Sequence, residues 1–468
     1  MTIAETLRRE RSPGGKLGVA MLIAALLAIP LFSIYLLNWD RQNQSETAST
    51  SIVEGWGGPQ TIAGPVMVIP YQAQSTETVE ENGRQVSKTS TVWRELVLSP
   101  EAATLDTKIA PERRKRSIYE AVVYETTLTG QAKFVMPSDL ERIGVPVASL
   151  VFARAEIRFG LSDARGLFGA PPAVRIGGKA LKLEPGHGLG ATNGSGFFAW
   201  IDAGGLPAAP LLADFDYRFR GSESVTLAPR AGDTTWNVTS PWPSPSFQGG
   251  FLPTTRSVSD AGFKATYRVG NLALGQSLVN ASDNAVQAAS GRKDGMSSYA
   301  VETSGGTTGI ASINLIQPVD VYSQVNRATK YGFLFIGFTF LALLMFDVIG
   351  GVRVAGVEYL LVGVGLVLFF ALLLAFAEVI GFTPAYIVAS AGIIGLITAY
   401  SAAVLKSWKR AGYIGGLLTA LYAVLYILLS LEAYSLLIGS LMLFAALAGV
   451  MYVTRKLDWG APRVTETA

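Results

Sequence analysis

The side chains that most often carry enzyme chemistry are scarce in this chain of 468 residues. It has one histidine, His187, and no cysteine. A zinc cluster needs several imidazole or thiolate ligands, and a Ser-His-Asp triad could be built only around His187. We therefore predict no catalytic residue, no metal site, no cofactor and no enzymatic activity. A serine–lysine dyad, which would make the protein a hydrolase, stays open.

Glycines surround His187 at a spacing that superficially resembles phosphate-binding loops. Residues 183–190 read LEPGHGLG. A phosphate loop must join a strand to the start of a helix. The residues that follow, NGSG at 193–196, predict another turn instead. We interpret the histidine loop as a turn without a phosphate-binding role.

Four carboxylates lie in or beside the apolar segments near the end of the chain: Asp347, Glu358, Glu378 and Glu432. A charge in the middle of a bilayer costs several kcal/mol and persists only with a partner or a water path. Each of the four lies within about one turn of the end of a predicted span, from where a carboxylate can reach water. Two hypotheses follow. In the first, the four carboxylates are ordinary interfacial residues. In the second, Asp347 and Glu378 belong to a proton or ion relay.

A basic run is formed by Arg113, Arg114, Lys115 and Arg116. Such a cluster gains about 1 kcal/mol per charge at an anionic surface, so the run could bind lipid headgroups or lipopolysaccharide. The alternative is a solvated loop. The formal net charge of the whole chain is only +3, from 38 basic and 35 acidic residues, which argues against nucleic acid as a partner.

A second candidate surface is the proline-rich segment 240–247, which reads SPWPSPSF. Its three prolines remove amide donors and hold the backbone near polyproline II, so the segment cannot form a central strand. Trp242 and Phe247 therefore have two interpretations. They form a recognition surface, or they fill the hydrophobic core of their own domain.

Six apolar segments are long enough to cross a bilayer, because a hydrocarbon core about 30 Å thick needs roughly 20 residues of helix. They are residues 17–37, 331–349, 359–377, 382–405, 413–431 and 433–454. Basic residues before the first segment, and no small-residue cleavage site after it, indicate an uncleaved anchor with a cytoplasmic N-terminus. Six spans then return the C-terminus to the cytoplasm.

This topology predicts a membrane protein of the α + β class. The predicted parts are a cytoplasmic tail (1–16), an anchor (17–37), a periplasmic domain (38–329), a five-helix membrane domain (330–454) and a cytoplasmic tail (455–468). The periplasmic part is large enough for one domain or two. Residues 271–308 within it are polar and predict a mobile loop or a weak strand pair.

Strand patterns dominate the predicted periplasmic domain. Residues 214–220 read DFDYRFR, which places three aromatic side chains on one face and four charged ones on the other. Gly177–Gly178 and Asn82–Gly83 supply the positive φ angles of two-residue hairpin turns. Further strands are predicted at 65–71, 118–129, 150–160, 224–228 and 263–269. We expect a β-sandwich, or a pair of them.

Five strings together resemble the CreD family of Gram-negative inner-membrane proteins. They are GPQTIAGPVMVIPY (58–71), LEPGHGLG (183–190), SPWPSPSFQGGFLP (240–253), RATKYGFLFIGFTF (327–340) and EYLLVGVGLVLFFALLLAFAEVIGFTPAYIVAS (358–390). They follow the family's order from the first anchor to the last helix. The resemblance implies an inner-membrane protein linked to cell-envelope integrity, stress and colicin tolerance, under a two-component regulatory system. It implies no catalytic residues.

Two functional hypotheses remain, besides the hydrolase. In the first, the helices hold the periplasmic domain near the bilayer, where it binds an envelope protein, lipid or lipopolysaccharide through Trp242, Phe247 and the basic run. In the second, the helices form a transporter or channel module that uses Asp347 and Glu378. The sequence does not predict an oligomeric state, because Gly363, Gly365, Gly392 and Gly395 suit contacts within one chain as well as between chains.

Overall fold

The computed structural model describes residues 13–81, 84–116, 119–138, 140, 144–280, 309–315, 321–348, 354–430 and 435–455. The chain divides into two compact units, Met1–Glu46 with Val319–Ala468, and Thr47–Pro318. The first unit is helical and the second is built mainly from strands. The predicted Asn82–Gly83 turn, Glu432 and residues 281–308 lie outside the described residues.

The described part of the chain contains eight α-helices. They are α1 Pro13–Glu54, α2 Asn271–Leu274, α3 Val321–Lys330, α4 Gly332–Val348, α5 Gly356–Ile380, α6 Phe382–Val404, α7 Trp408–Ser430 and α8 Ser435–Thr454. The first helix continues 17 residues beyond the predicted anchor. Its polar second half contains neither proline nor glycine before Gly55, so nothing local ends the helix earlier.

Five segments among the described residues are long and apolar enough to cross a membrane: α1, Val321–Val348, α5, α6 and α7. The predicted sixth span coincides with the helix α8, and its passage through the membrane stays a prediction. The short helix α3 was not predicted. It is polar on one side and buries Tyr322, Val325, Ala328 and Thr329 on the other, so its hydropathy does not resemble that of a span.

One face of α1 packs on the other helices of its unit. Ala20, Ile23 and Leu27 are buried, whereas Met21 and Leu22 between them are largely exposed, as expected for a helix that meets helices on one side and lipid on the other. A Cβ atom added at Gly363 of α5 would overlap the Leu27 side chain. The absence of a side chain at Gly363 therefore leaves room for the Leu27 side chain of α1 against α5.

Replacing Gly363 by alanine should destabilise the helical unit by about 1–3 kcal/mol, the usual cost of overpacking. Gly365 is the matched control, because its added Cβ would lie an ordinary 3.6 Å from Ile397. Unfolding of both variants in mixed detergent measures the difference. Equal stability of Gly363→Ala and Gly365→Ala would contradict the packing argument, and Leu27→Ala should partly restore the Gly363→Ala variant.

The strand unit contains 17 described strands. They are β1 Gln60–Glu81, β2 Arg84–Leu98, β3 Ala102–Arg116, β4 Tyr119–Phe134, β5 Ala155–Leu161, β6 Ala173–Ile176, β7 Lys179–Ala180, β8 Glu184–Pro185, β9 Gly196–Ile201, β10 Leu211–Ser222, β11 Ser224–Ala228, β12 Asp233–Ser240, β13 Pro245–Gly249, β14 Thr255–Ser259, β15 Gly262–Gly270, β16 Val279–Asn280 and β17 Ala311–Leu315. The prediction of a large strand-rich domain is confirmed.

Two mixed sheets form from these strands. The nine-stranded sheet has the order β13-β17-β11-β1-β5-β9-β8, with β2 on β1 and β16 on β2. The eight-stranded sheet has the order β14-β15-β12-β3-β4-β10-β6-β7. Within them, β1 runs parallel to β11 and β3 runs parallel to β12. The strand β13 lies at the edge of its sheet, where the missing amide donor of its proline is tolerated. The prediction that the proline-rich segment 240–247 does not form a central strand is therefore confirmed.

The predicted alternation in residues 214–220 is confirmed in β10. Phe215, Tyr217 and Phe219 are buried, while Asp214 and its charged neighbours face outwards. The Phe159 ring of β5 meets the Phe215 ring edge-on, with 5.5 Å between the ring centroids. Side chains of both sheets thus share one hydrophobic core.

Two predicted turns are also confirmed. Gly177 and Gly178 have φ angles of 57° and 80° and join β6 to β7 in a hairpin. His187 itself has a left-handed φ of 46°, and only a short turn, Gly190–Thr192, follows it instead of a long helix. The histidine loop therefore lacks the helix N-terminus of a phosphate-binding loop.

Candidate functional site

Asp347, one of the two predicted relay residues, is a buried half of an ion pair. It lies in the last turn of α4, and its side chain is only 2% exposed. Lys16 of α1 donates from Nζ to Asp347 Oδ1 at 2.7 Å and keeps 23% of its own side chain exposed. Because an unpaired buried charge is strongly destabilising, this lysine is what allows the carboxylate at this position.

Glu378, the second predicted relay residue, lies in the last turn of α5. Its Oε1 accepts a hydrogen bond from the Tyr322 hydroxyl at 3.2 Å and lies 3.9 Å from Arg41 Nε. Asn38, on the same helix as Arg41, donates to the backbone carbonyl of Tyr322 at 3.0 Å. Polar contacts thus tie α1 to the rest of its unit here as well.

The two carboxylates lie near opposite ends of the helical unit. Glu358, in the first turn of α5, caps that helix by accepting from the Ala355 N–H at 2.7 Å. Glu378 follows 20 residues later, about 30 Å along the helix at 1.5 Å per residue. Asp347 belongs with the Glu358 end, since α4 and α5 are joined by a short connection. No carboxylate lies between these ends among the described residues of α5, and a relay that uses Asp347 and Glu378 stays a hypothesis.

Trp242 lies inside the strand unit. It is 7% exposed and belongs to the hydrophobic core. The Phe247 ring in β13 is half-buried and meets the Phe263 ring edge-on, with 5.8 Å between centroids. The burial agrees with the hypothesis that these aromatic side chains fill their own core. A direct binding role for Trp242 and Phe247 stays a prediction.

The basic run forms the end of strand β3, not the solvated loop that was the alternative interpretation. Arg113 places its guanidinium carbon 5.6 Å from the centre of the Trp242 ring, so the structure brings these two predicted residues together. Lys115 pairs with Glu120 at 2.6 Å. The side chain of Arg116 lies outside the described part of the chain.

Arg114 points to another aromatic ring. Its guanidinium carbon lies 3.6 Å from the centre of the Trp56 ring, and that of Arg220 lies 4.0 Å from the same ring. Glu125 pairs with Arg220 at 3.0 Å. Cation–π contacts of this kind stabilise the fold by about 0.5–2 kcal/mol, so part of the basic run has a structural role.

A charged cluster on the nine-stranded sheet was not predicted. Arg158 of β5 donates to Glu156 at 2.7 Å and to both oxygens of Glu95, at 2.8 and 3.1 Å. His187 Nδ1 lies 3.1 Å from the same Glu156 carboxylate, and its ring stacks on Phe198. Burial alone would lower the pKa of Arg158, but the hydrogen bonds to both carboxylates raise it above its ordinary value.

This cluster fastens the histidine loop to β5. The signal in the sequence was the glutamate and arginine two residues apart in an otherwise apolar strand, AEIRFGL, since such residues share one face. Their partners come from distant strands, which spacing alone cannot identify. No group of three or more metal-ligating side chains is found among the described residues.

Comparison with known proteins agrees with the resemblance of the five sequence strings. A family model described as inner membrane protein CreD matches residues 12–460. Inner membrane protein CreD of Escherichia coli (strain K12) is 33% identical over 438 residues, which cover 93% of this chain and 91% of that protein. With its five helices able to span a membrane and its large strand unit, the chain belongs to the CreD family of inner-membrane proteins.

Proposed function

We propose that this CreD-family protein supports cell-envelope integrity, including tolerance of stress or colicins, by binding an envelope component through its strand unit. In this proposal the unit is a periplasmic domain of sandwich type, six helices span the inner membrane, and both termini are cytoplasmic. The protein acts without enzymatic chemistry. Its partner is an envelope protein, a lipid or lipopolysaccharide.

The contact between Arg113 and Trp242 is the observation that carries this proposal. The tryptophan is held in the core, and its ring supports a guanidinium that stays exposed at the end of β3. Lys115 lies two residues further along the strand on the same face, where it pairs with Glu120. A rigid support for the exposed Arg113 cation suits an anionic partner, because less side-chain entropy is lost when the partner binds.

Photo-crosslinking in living cells tests this proposal. A photoreactive residue at position 115 keeps Arg113 and Trp242 intact, and one at position 179, on the edge strand β7 of the same sheet, is the matched control. We expect one dominant protein or lipid adduct from position 115 and none of that species from position 179. The same diffuse background from both positions would contradict the proposal.

A further inference from the structure

A pocket of about 490 Å³ opens in the strand unit where β12 ends. The chain leaves the sheet at Ser240 and turns away at Pro241, whereas the neighbouring strand β3 continues to Arg116. On the other side, the hairpin of β14 and β15 turns between Ser259 and Gly262. The space that β12 vacates between β3 and this hairpin is the pocket.

Two lysines line this pocket in register. Thr239 of β12 lies opposite Lys108 of β3 on one side and opposite Lys264 of β15 on the other. Ser257 of β14 continues the row beyond Lys264. Neighbouring strands lie about 4.8 Å apart, so the two lysine Cα atoms are roughly 10 Å apart, and both side chains leave the sheet on the same exposed face.

These two lysines lack the carboxylate partners that other lysines of the same sheet have. Lys115 and Lys133 pair with glutamates at 2.6 and 2.7 Å. Among the described residues, Lys108 and Lys264 form no such pair, and no acidic side chain lines the pocket. The nearby Asp106 accepts a hydrogen bond from Asn237 at 2.9 Å. Two like charges therefore face one concave space with hydroxyl groups around them.

We infer that this pocket binds its ligand through an anionic group, a phosphate or a carboxylate, held between Lys108 and Lys264. Lysine ammonium groups are mobile point charges with three donors each, so two of them can converge on one anion. The hydroxyls of Thr239 and Ser257 supply further donors. The volume lies in the range of small-molecule sites. The inference rests on the proposed function, because it names the chemical class of the envelope component.

A soluble phosphate probe tests the pocket in the full-length chain. The protein is reconstituted into nanodiscs of phosphatidylcholine, and binding of glycerol 1-phosphate is followed by broadening of its ³¹P resonance. Lys108→Gln with Lys264→Gln should weaken binding about tenfold or more, since charge-assisted contacts are lost. Lys179→Gln with Lys182→Gln is the matched control, because the charge change is identical and both lysines are exposed elsewhere on the domain.

Arginine at both positions should keep the binding, which guards against a fold defect in the glutamine variant. Nanodiscs that contain phosphatidylglycerol distinguish the sources of the anion. Weaker glycerol phosphate binding in them would identify a lipid headgroup as the occupant, and unchanged binding would identify a soluble anion. The inference is overturned if the unmodified protein broadens no resonance, or if both glutamine pairs weaken binding equally.

The two proposals can fail separately. A dominant adduct from position 115 without any glycerol phosphate binding would contradict the proposed anion site and support the proposed binding function. Phosphate binding that depends on Lys108 and Lys264, without any adduct in cells, would contradict the proposed binding of an envelope partner and support the anion site.

Discussion

Replacing Lys16 by methionine should destabilise the helical unit by about 3 kcal/mol, near the lower limit for breaking a buried ion pair. The variant leaves the Asp347 carboxylate buried without its partner at 2.7 Å. The effect stays near the lower limit because Lys16 is itself 23% exposed and water can partly replace it. Unfolding in mixed detergent measures the loss.

The double variant Lys16→Met with Asp347→Leu should recover most of this stability, because it removes both charges and leaves apolar side chains of similar size. Arg41→Met is the matched control. Arg41 is 41% exposed and lies 3.9 Å from Glu378, so its loss should cost less than about 1 kcal/mol. A double variant that is less stable than Lys16→Met would contradict the buried-pair argument.

The same double variant separates the two classes of function. If Asp347 only stabilises the helices, cells with the double variant should show a normal envelope phenotype once the protein is stable. A relay needs the ionisable group itself, so it would fail in this variant despite normal stability. That second result would favour the transporter hypothesis.

Replacing Trp242 by alanine should destabilise the strand unit by about 3 kcal/mol, as expected for truncating a large buried aromatic side chain. The ring is 7% exposed, packs in the core and supports Arg113. Trp200 is the matched control, because it is 49% exposed and its removal should cost much less. Thermal unfolding of the two variants compares them directly.

Because Trp242 is buried, a phenotype of Trp242→Ala does not by itself indicate a binding role for this residue. Loss of envelope protection in that variant would follow from lost stability alone. Arg113→Gln leaves the core intact and removes the exposed charge together with its contact to the Trp242 ring. It should therefore lower partner capture at position 115 while costing no more than about 1 kcal/mol of stability. Equal stability of Trp242→Ala and Trp200→Ala would show that the ring contributes little to the core.

Sequence periodicity predicted the parts of this fold that are encoded by residues close together in the chain. The alternation in β10 followed from one side of the strand facing the core, and the turn at Gly177–Gly178 followed from its positive φ angles. The apolar spans followed from the thickness of a bilayer. The amphipathic helix α3 was missed, because its polar residues resemble those of a loop when hydropathy alone is considered.

Long-range pairs could not be predicted in the same way. Asp347 was a candidate residue from the sequence, but the identity of its partner depends on which helix packs beside α4. Lys108 and Lys264 were not predicted as site residues, since each is an ordinary lysine on a polar face of its strand. Only the register of three strands places them around one pocket.

The Lys16–Asp347 pair also has a consequence for how the protein is made. The two residues are 331 positions apart in the sequence. At 5–20 residues per second, a ribosome synthesises Lys16 roughly 15–65 seconds before Asp347. Until α3 and α4 are synthesised, late in that interval, α1 has no helix of its own unit to contact, and Ala20, Ile23 and Leu27 can contact only lipid or the insertion machinery. Helix α1 must therefore be stable in the bilayer on its own before the ion pair can lock it in place.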